Sequence, residues 1–570
     1  LTWLNSQPRD KSVQKLEMIM QNNCTALKQQ MHWLAKQPPN QRMFRISSDL
    51  FPAYTHDDWT WWYFEQNQTN YLEKHLAEVG ELARQNDIRL SFHPGQFCVL
   101  ASEHDGIVDN SIREFEYHTD VARYMGYGKS FQDFKCNVHI GGKRGPAGIQ
   151  SALKKLSNEA RNIIKRHVNA NSNDVLITEG SGMTGVINKF QRILGLRVCE
   201  TLKEYTTIPE VIKPIVFISH MEHHSNQTSW LETIADVVVI PADENGLFSI
   251  NNFTKLVHQY KDRSFKIASI TSCSNVTGIK TPYHEVAKIM HQNNGVCFVD
   301  FACSGPYVEI DMHPEDPDSY LDAIFFSPHK FLGGPGTSGV LVFNQNLYKN
   351  NVPDCPGGGT VSWTNPWGEH KYIDNIEDRE DGGTPGFLQV IKVALAIQLK
   401  EKMGIQNILD REHELIDYVF SELGNVDNIN VLAPQHQDRL GVFSFYINDL
   451  HFNLGVKILN DKFGIQTRGG CSCAGTYGHY LLHVDQEMSN DLVCQITSGD
   501  LIKKPGWIRM SIHPTTTTQE IIYVCNSIKE LATNHLEWTK EYVYNAKTNE
   551  FNHQKAQFKE KELVSSWFSI

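Results

Sequence analysis

A lysine held between an apolar run and a glycine-rich turn is placed for reaction more than for solvation. Lys330 has that setting in "FFSPHKFLGGPGTSGVLVF", residues 325–343, with His329 beside it and Ser327 three positions earlier. A lysine amine can form a Schiff base with an aldehyde. Upstream, Asp300 ends the apolar run "GVCFVD". A carboxylate on the end of a buried strand can pair with a protonated ring nitrogen. Further upstream, "TEGSGMTGVIN" is a glycine-rich turn that opens a helix. Its backbone N–H groups and the helix dipole suit a phosphate. The imidazoles of "EHHSN", residues 222–226, could stack on a flat ring.

Each feature has a plain alternative: a solvated strand end, a simple connection, a surface loop. In this order they describe one ligand carrying an aldehyde, a pyridinium and a phosphate, which is pyridoxal phosphate. The glycines after Lys330 are expected to leave room for the phosphorylated ring.

The elements that must hold these residues alternate strand and helix. "NDVLITEGSGMTGVINKFQRIL", "PIVFISH", "DVVVIPAD", "KIASITSC", "GVCFVDF", "DAIFFSPHK" and "SGVLVF" read as strands of an α/β domain. A smaller α+β section follows and ends in "WIRMSIH" and an amphipathic helix. The expected division is 1–160, 161–405 and 406–570. The first part carries strand candidates at 44–50, 88–96 and 136–142 with helical patterns between them, which implies parallel strands.

The region 160–570 resembles the class V aminotransferase family, in its cysteine desulfurase-like branch of fold type I pyridoxal-phosphate enzymes. The resemblance implies that Lys330 forms an internal aldimine, Asp300 pairs with the pyridine nitrogen and His223 stacks on the ring. It implies that Thr184, the backbone at Met183, Ser327 and His329 bind phosphate. Asn275 in "SCSNVTG" corresponds to an asparagine near the cofactor hydroxyl or the substrate carboxylate. Thr384 in "DGGTPG" corresponds to a threonine that reaches the partner subunit's phosphate, which implies a homodimer. Arg509 corresponds to the arginine that pairs with a substrate α-carboxylate, a task suited to a bidentate guanidinium. The implied substrate is an amino acid, with desulfuration, transamination, lyase and epimerase chemistry all open. Two positions depart from or test the pattern. Cys303 stands where the family often has glutamine. In "QTRGGCSCAGTYGH", Cys473 follows Arg468 by five positions and Cys471 is near. That leaves open a persulfide-forming Cys473 or a non-catalytic loop cysteine.

The region 1–160 resembles the ultraviolet-damage endonuclease family of metal-dependent βα barrels, through "TWLNSQPRDK", "MFRISSDLFP", "LSFHPGQF", "VDNSIREFEYH" and "NVHIGGKRGP". The resemblance implies that His56, His93 and His139 face divalent metal ions such as manganese, zinc or magnesium. It implies that Gln96 and Phe97 probe a DNA duplex beside a lesion. Few strands of such a barrel are present, and a partial barrel leaves unpaired edges. No competent nuclease is therefore expected from this chain alone. The other region lacks its usual N-terminal arm. Both resemblances meet at one seam, inside the helical run "NEARNIIKRHV". That fits either a join of two reading frames or a fusion with a barrel remnant as cover.

With 570 residues the chain is long enough for roughly two to four domains. A net charge of −12 gives it no overall nucleic-acid-type positive field. No apolar run approaches the roughly 20 residues of a membrane span. Twelve cysteines, several inside apolar runs, are no disulfide scaffold, so a cytoplasmic setting is expected.

Overall fold

The computed structural model describes residues 1–93, 105–127, 148–555 and 560–569. The chain forms two compact units, Leu1–Asn158 and Glu159–Ile570. The boundary falls within the helix Gly148–His167.

In the first unit, the helix Arg9–Leu34 buries Leu16, Met20, Cys24, Leu27, Met31 and Leu34. Their three- and four-residue spacing puts them on one face. Strands β1 (Met43–Ser47) and β2 (Arg89–His93) pair in parallel, with Ile46 opposite Phe92. The helix Gln68–Gln85 lies between them in sequence, as a parallel crossover requires. Tyr54, Trp59, Trp62, Tyr63 and Tyr117 give this core an aromatic character. The third strand candidate, with His139, lies outside the described residues, as do Gln96 and Phe97.

The second unit is built on a seven-stranded sheet: β3 (Asp174–Glu179), β4 (Ile215–Ser219), β5 (Asp236–Ile240), β6 (Lys266–Thr271), β7 (Val296–Asp300), β8 (Ala323–Phe326) and β9 (Gly339–Asn344). The spatial order is β3-β9-β8-β7-β6-β4-β5. Strand β9 runs antiparallel to both neighbours, while the other pairs are parallel. No helix of useful length separates β8 from β9, so the chain can return antiparallel. Alternate residues feed two cores. Ile215, Phe217, Ile324 and Phe326 face one; Val216, Ile218, Ala323 and Phe325 face the other. Parallel strands covered on both faces read as continuous apolar runs. Each fully buried Phe or Ile here contributes on the order of 1.5–3 kcal/mol.

A hairpin follows, β10 (Val361–Thr364) with β11 (His370–Tyr372). A second, antiparallel sheet has the order β12-β13-β15-β14, with β12 (Ile429–Val431), β13 (Val442–Ile447), β14 (Arg468–Gly470) and β15 (Trp507–Ser511). The helix Thr518–Trp538 covers it, opened by a capping box between Thr517 and Glu520. A last hairpin pairs β16 (Tyr542–Asn545) with β17 (Glu550–His553). Among the described residues, no helix is long and apolar enough to cross a membrane.

Candidate active site

The parallel strands β3, β4, β6, β7 and β8 end on the same edge of the large sheet, so the turns that leave them gather there. Ligand sites of open α/β sheets form at this edge.

The turn after β3 runs through Gly180, Ser181 and Gly182 into the helix Met183–Ile193. Its N-cap residue is Gly182, which makes no side-chain cap hydrogen bond to the positive end of the helix. The turn from β8 closes over it. Met183 N–H donates to Ser327 Oγ at 2.9 Å, and His329 Nδ1 lies 2.5 Å from the Ser181 carbonyl oxygen. Thr184 Oγ1 lies 2.6 Å from Ser225 Oγ. A Cβ on Gly182 would come within 2.7 Å of the His329 ring and 3.2 Å of Ser327 Oγ. Glycine there permits the approach. Met183, Thr184, Ser327 and His329 thus form one cluster at a helix N-terminus.

Lys330 is exposed at the end of the short turn Pro328–Lys330. The glycines after it meet needs of the turn itself. A Cβ on Gly334 would lie 1.9 Å from the Pro328 carbonyl oxygen, and Gly333 and Gly336 have φ of +76° and +88°.

Asp300, at the end of β7, accepts from Ala302 N–H at 2.8 Å. Burial pushes its carboxyl up to about 6, with the Lys330 ammonium pulling the other way. It is therefore ionised at neutral pH. His223 precedes the helix His224–Leu231, and its Nδ1 accepts from Ser225 N–H at 3.1 Å. Burial pushes its pKa down to about 4, helped by Lys330, His224, Arg468 and Arg509. The ring is neutral, and with Nδ1 accepting, its proton belongs on Nε2. Lys330 acts electrostatically on both Asp300 and His223, which ties the three together.

The second sheet supplies cations. Arg468 on β14 stands opposite Arg509 on β15. Arg509 Nη1 donates to the Asn275 carbonyl oxygen at 3.0 Å, and Asn275 Nδ2 donates to the Ser472 carbonyl oxygen at 2.7 Å. Among the described residues, the buried Asn275 Oδ1 and Arg509 Nε have no hydrogen-bond partner. Burial lowers the Arg509 pKa, and the like charge of Arg468 adds to this. Two guanidiniums on paired strands, one with an unpartnered Nε–H among the described residues, suit an anion such as a carboxylate. Arg468 Nη2 also donates to Cys473 Sγ at 3.1 Å. Ser472 and Cys473 both have positive φ, 51° and 59°, and the Cys473 carbonyl accepts from His224 N–H at 2.8 Å.

Sequence reasoning passed over Glu222. It is wholly buried and accepts from Ser219 Oγ at 2.5 Å, Asn226 Nδ2 at 2.7 Å and Thr271 N–H at 2.8 Å. It so ties the ends of β4 and β6 under His223. Burial pushes it up to about 8 against these donors. An acid three residues beyond the largely apolar strand Ile215–Ser219 was the available signal. Arg468 was noted only as a spacing marker for Cys473. Its place opposite Arg509 depends on strand pairing.

Thr384 lies exposed ahead of the helix Phe387–Met403, and no hydrogen bond or ion pair joins it to the cluster among the described residues. The loop before it is anchored. Lys189, fully buried, pairs with Glu380 at 3.0 Å and Asp354 at 3.5 Å, and Arg161 pairs with Asp381 at 2.5 Å.

In the first unit His93 closes β2. His56 Nδ1 accepts from Asp58 N–H at 3.3 Å. Among the described residues, no group of three or more His, Cys, Asp or Glu could hold a metal ion.

The large mixed sheet with this edge cluster, joined to a small antiparallel domain, is the architecture of fold type I pyridoxal-phosphate enzymes. The family model for aminotransferase class-V matches residues 127–524, and the chain belongs to that family. The model for UV-endonuclease UvdE matches residues 2–174 and overlaps the first match around the seam. Cysteine desulfurases of Shigella sonnei and Escherichia coli are 30% identical over 264 residues, which is 45% of this chain and 62% of theirs. The chain thus spans less than two thirds of these curated relatives. The solved apo structure of a cysteine desulfurase from Thermococcus onnurineus aligns with a TM-score of 0.54 and 21% identity, over 70% of this chain and 88% of that one. A cysteine desulfurase from Escherichia coli aligns at 0.52 and 20%, over 68% and 87%. At such identity the likeness is one of fold.

Proposed function

We propose that the chain is a pyridoxal-phosphate enzyme acting on an amino acid, with L-cysteine as substrate and Cys473 as sulfur acceptor. The convergence of Lys330, Asp300 and His223 on one sheet edge carries the reading. The residues present fit the cofactor: an uncapped helix with hydroxyls for a phosphate, a strand-end carboxylate for a ring nitrogen, a neutral imidazole for a ring face. When bound, the cofactor supplies an electron sink for the substrate's α-carbon.

Met183 N–H, Thr184, Ser327 and His329 would hold the phosphate. Asp300, ionised at neutral pH, would keep a proton on the ring nitrogen. His223 would cover one ring face and keep water from it. Lys330 Nζ would carry the cofactor and, once displaced by substrate, move the α-proton as general acid and base. Arg509, with Arg468 opposite and Asn275 below, would bind the α-carboxylate. Cys473 Sγ, which accepts from Arg468 Nη2, would attack the substrate sulfur and form an S–S bond, giving a persulfide on Cys473. The carbon–sulfur bond breaks, its electron pair stays with the carbon skeleton, and protonation gives alanine. Thr384 would reach the phosphate site of a second copy in a homodimer. The ten described cysteines are all free, which suits the reducing cytoplasm.

The test is alanine and sulfide formation from L-cysteine by the full chain supplied with pyridoxal phosphate and a thiol. Activity lost in Cys473→Ser with the cofactor spectrum unchanged supports the reading. Transamination or racemisation without sulfide would refute sulfur transfer.

A second reading attaches to residues 2–174 through the UvdE match, with DNA as partner. His56 beside Asp58 does not make a metal site, so no metal-dependent step follows from the described residues. The expected outcome is no metal-dependent nicking of ultraviolet-irradiated duplex.

A further inference from the structure

Two thiols follow neighbouring strand ends at the edge of the large sheet and have no part in the reading above. Cys273 follows β6 by two residues, and Cys303 follows β7 by three. These strands are paired neighbours, with Thr271 opposite Asp300. Ser272 N–H donates to the Asp300 carbonyl at 2.9 Å, which holds the two strand exits side by side. Both sulfurs reach the same acceptor. Cys273 Sγ is 3.5 Å and Cys303 Sγ 3.8 Å from the Ser274 carbonyl oxygen. Each side chain also acts electrostatically on the other.

The pair is chemically unequal. Cys273 is fully buried, and the hydrogen bond to Cys303 followed by burial drives its pKa well up. Cys303 is partly exposed, and its pKa is lowered, first by the hydrogen bond from Cys273 and then by Lys330 and Arg509. A thiolate-prone sulfur on a partly exposed residue, with a fully buried, protonated neighbour beside it, is the arrangement of an attacking and a resolving cysteine.

We propose that Cys303 and Cys273 form a reversible disulfide when the protein meets a peroxide. The Cys303 thiolate attacks one peroxide oxygen, the O–O bond breaks, and Cys303 becomes a sulfenic acid as hydroxide leaves. Cys273 then attacks that sulfur. The S–O bond breaks, the oxygen leaves as water with the Cys273 proton, and an S–S bond forms. Two thiols lose two electrons, and hydrogen peroxide becomes two waters. Parallel-sheet neighbours lie about 4.8 Å apart, within the range a disulfide spans. The linkage would draw the Cys303 sulfur away from Arg509 and Lys330. In a reducing compartment such bonds are transient and sensing rather than structural.

The test uses the reduced full chain and dilute hydrogen peroxide, with remaining thiols blocked before digestion and peptide mass spectrometry. The expected result is a linked Cys273–Cys303 peptide that dithiothreitol removes and that is absent from Cys273→Ser and Cys303→Ser. In Cys273→Ser, Cys303 should pass on to sulfinic acid, which dithiothreitol does not reverse. Cys303 linked to Cys473, or both thiols still fully alkylated after peroxide, would overturn the proposal. Neither readout needs bound cofactor or L-cysteine turnover, so failure here is distinguishable from failure of the proposed function.

Discussion

The two units use the same kind of element to different effect. In Leu1–Asn158 two parallel strands pair, and the described histidine nearest to chemistry, His56, engages its own loop. In Glu159–Ile570 six strands of the large sheet run the same way and end on one edge, and the turns after β3 and β8 hydrogen-bond across it. A reactive constellation therefore depends less on residue type than on enough adjacent strand ends to cross-brace it. Ser327 reaches Met183 because β8 and β3 both flank β9, which no count of sequence spacing reveals.

The largest expected effect falls on Lys330. Lys330→Ala should lower turnover by about 10²–10⁴-fold, the span of a general acid–base group, while the fold, read by circular dichroism, stays unchanged. Retained turnover would break the contrast between the units, since a lysine elsewhere would then carry the chemistry.

Next comes Arg509→Lys. A charged hydrogen bond is worth about 1.5–3 kcal/mol, so KM for the amino acid should rise roughly 10- to 100-fold. An unchanged KM would remove the second sheet from the site.

Gly182→Ala should weaken pyridoxal-phosphate binding, read by equilibrium dialysis, and destabilise the second unit by about 1–3 kcal/mol through the forced approach to His329. The first unit's unfolding transition should not move.

The last effect is a pH slope. The Glu222 carboxyl rises from its ordinary 4.5 to about 8 in the folded chain. The native state then binds more protons than the unfolded one between those values, so this group's stabilisation falls as pH rises through that window. Compared with Glu222→Gln, the parent should lose stability between pH 5 and about 8, measured as urea midpoints without cofactor. A relative gain would mean that the three donors around Glu222 outweigh its burial.

Much of the second unit was legible in the sequence. The apolar runs that read as strands are strands, because parallel strands buried on both faces need such runs. Candidates at strand ends were found for the same reason. What escaped depends on contacts between distant segments. Lys189 reads as a solvated helix residue, yet it is buried because Glu380 and Asp354 come from a loop far along the chain. The antiparallel course of β9 had one local signal, the absence of a helix after β8. Glu222 and Arg468 were visible as residues but not as partners. In the first unit the strand pair was legible, whereas Gln96, Phe97 and His139 lie outside the described residues.

The most direct measurement is the visible absorption spectrum of the purified full chain with pyridoxal phosphate, before and after borohydride. The account predicts a yellow band that borohydride bleaches, leaving the cofactor fixed on the peptide that carries Lys330. A chain that stays colourless, or cofactor fixed on a different lysine, would contradict it.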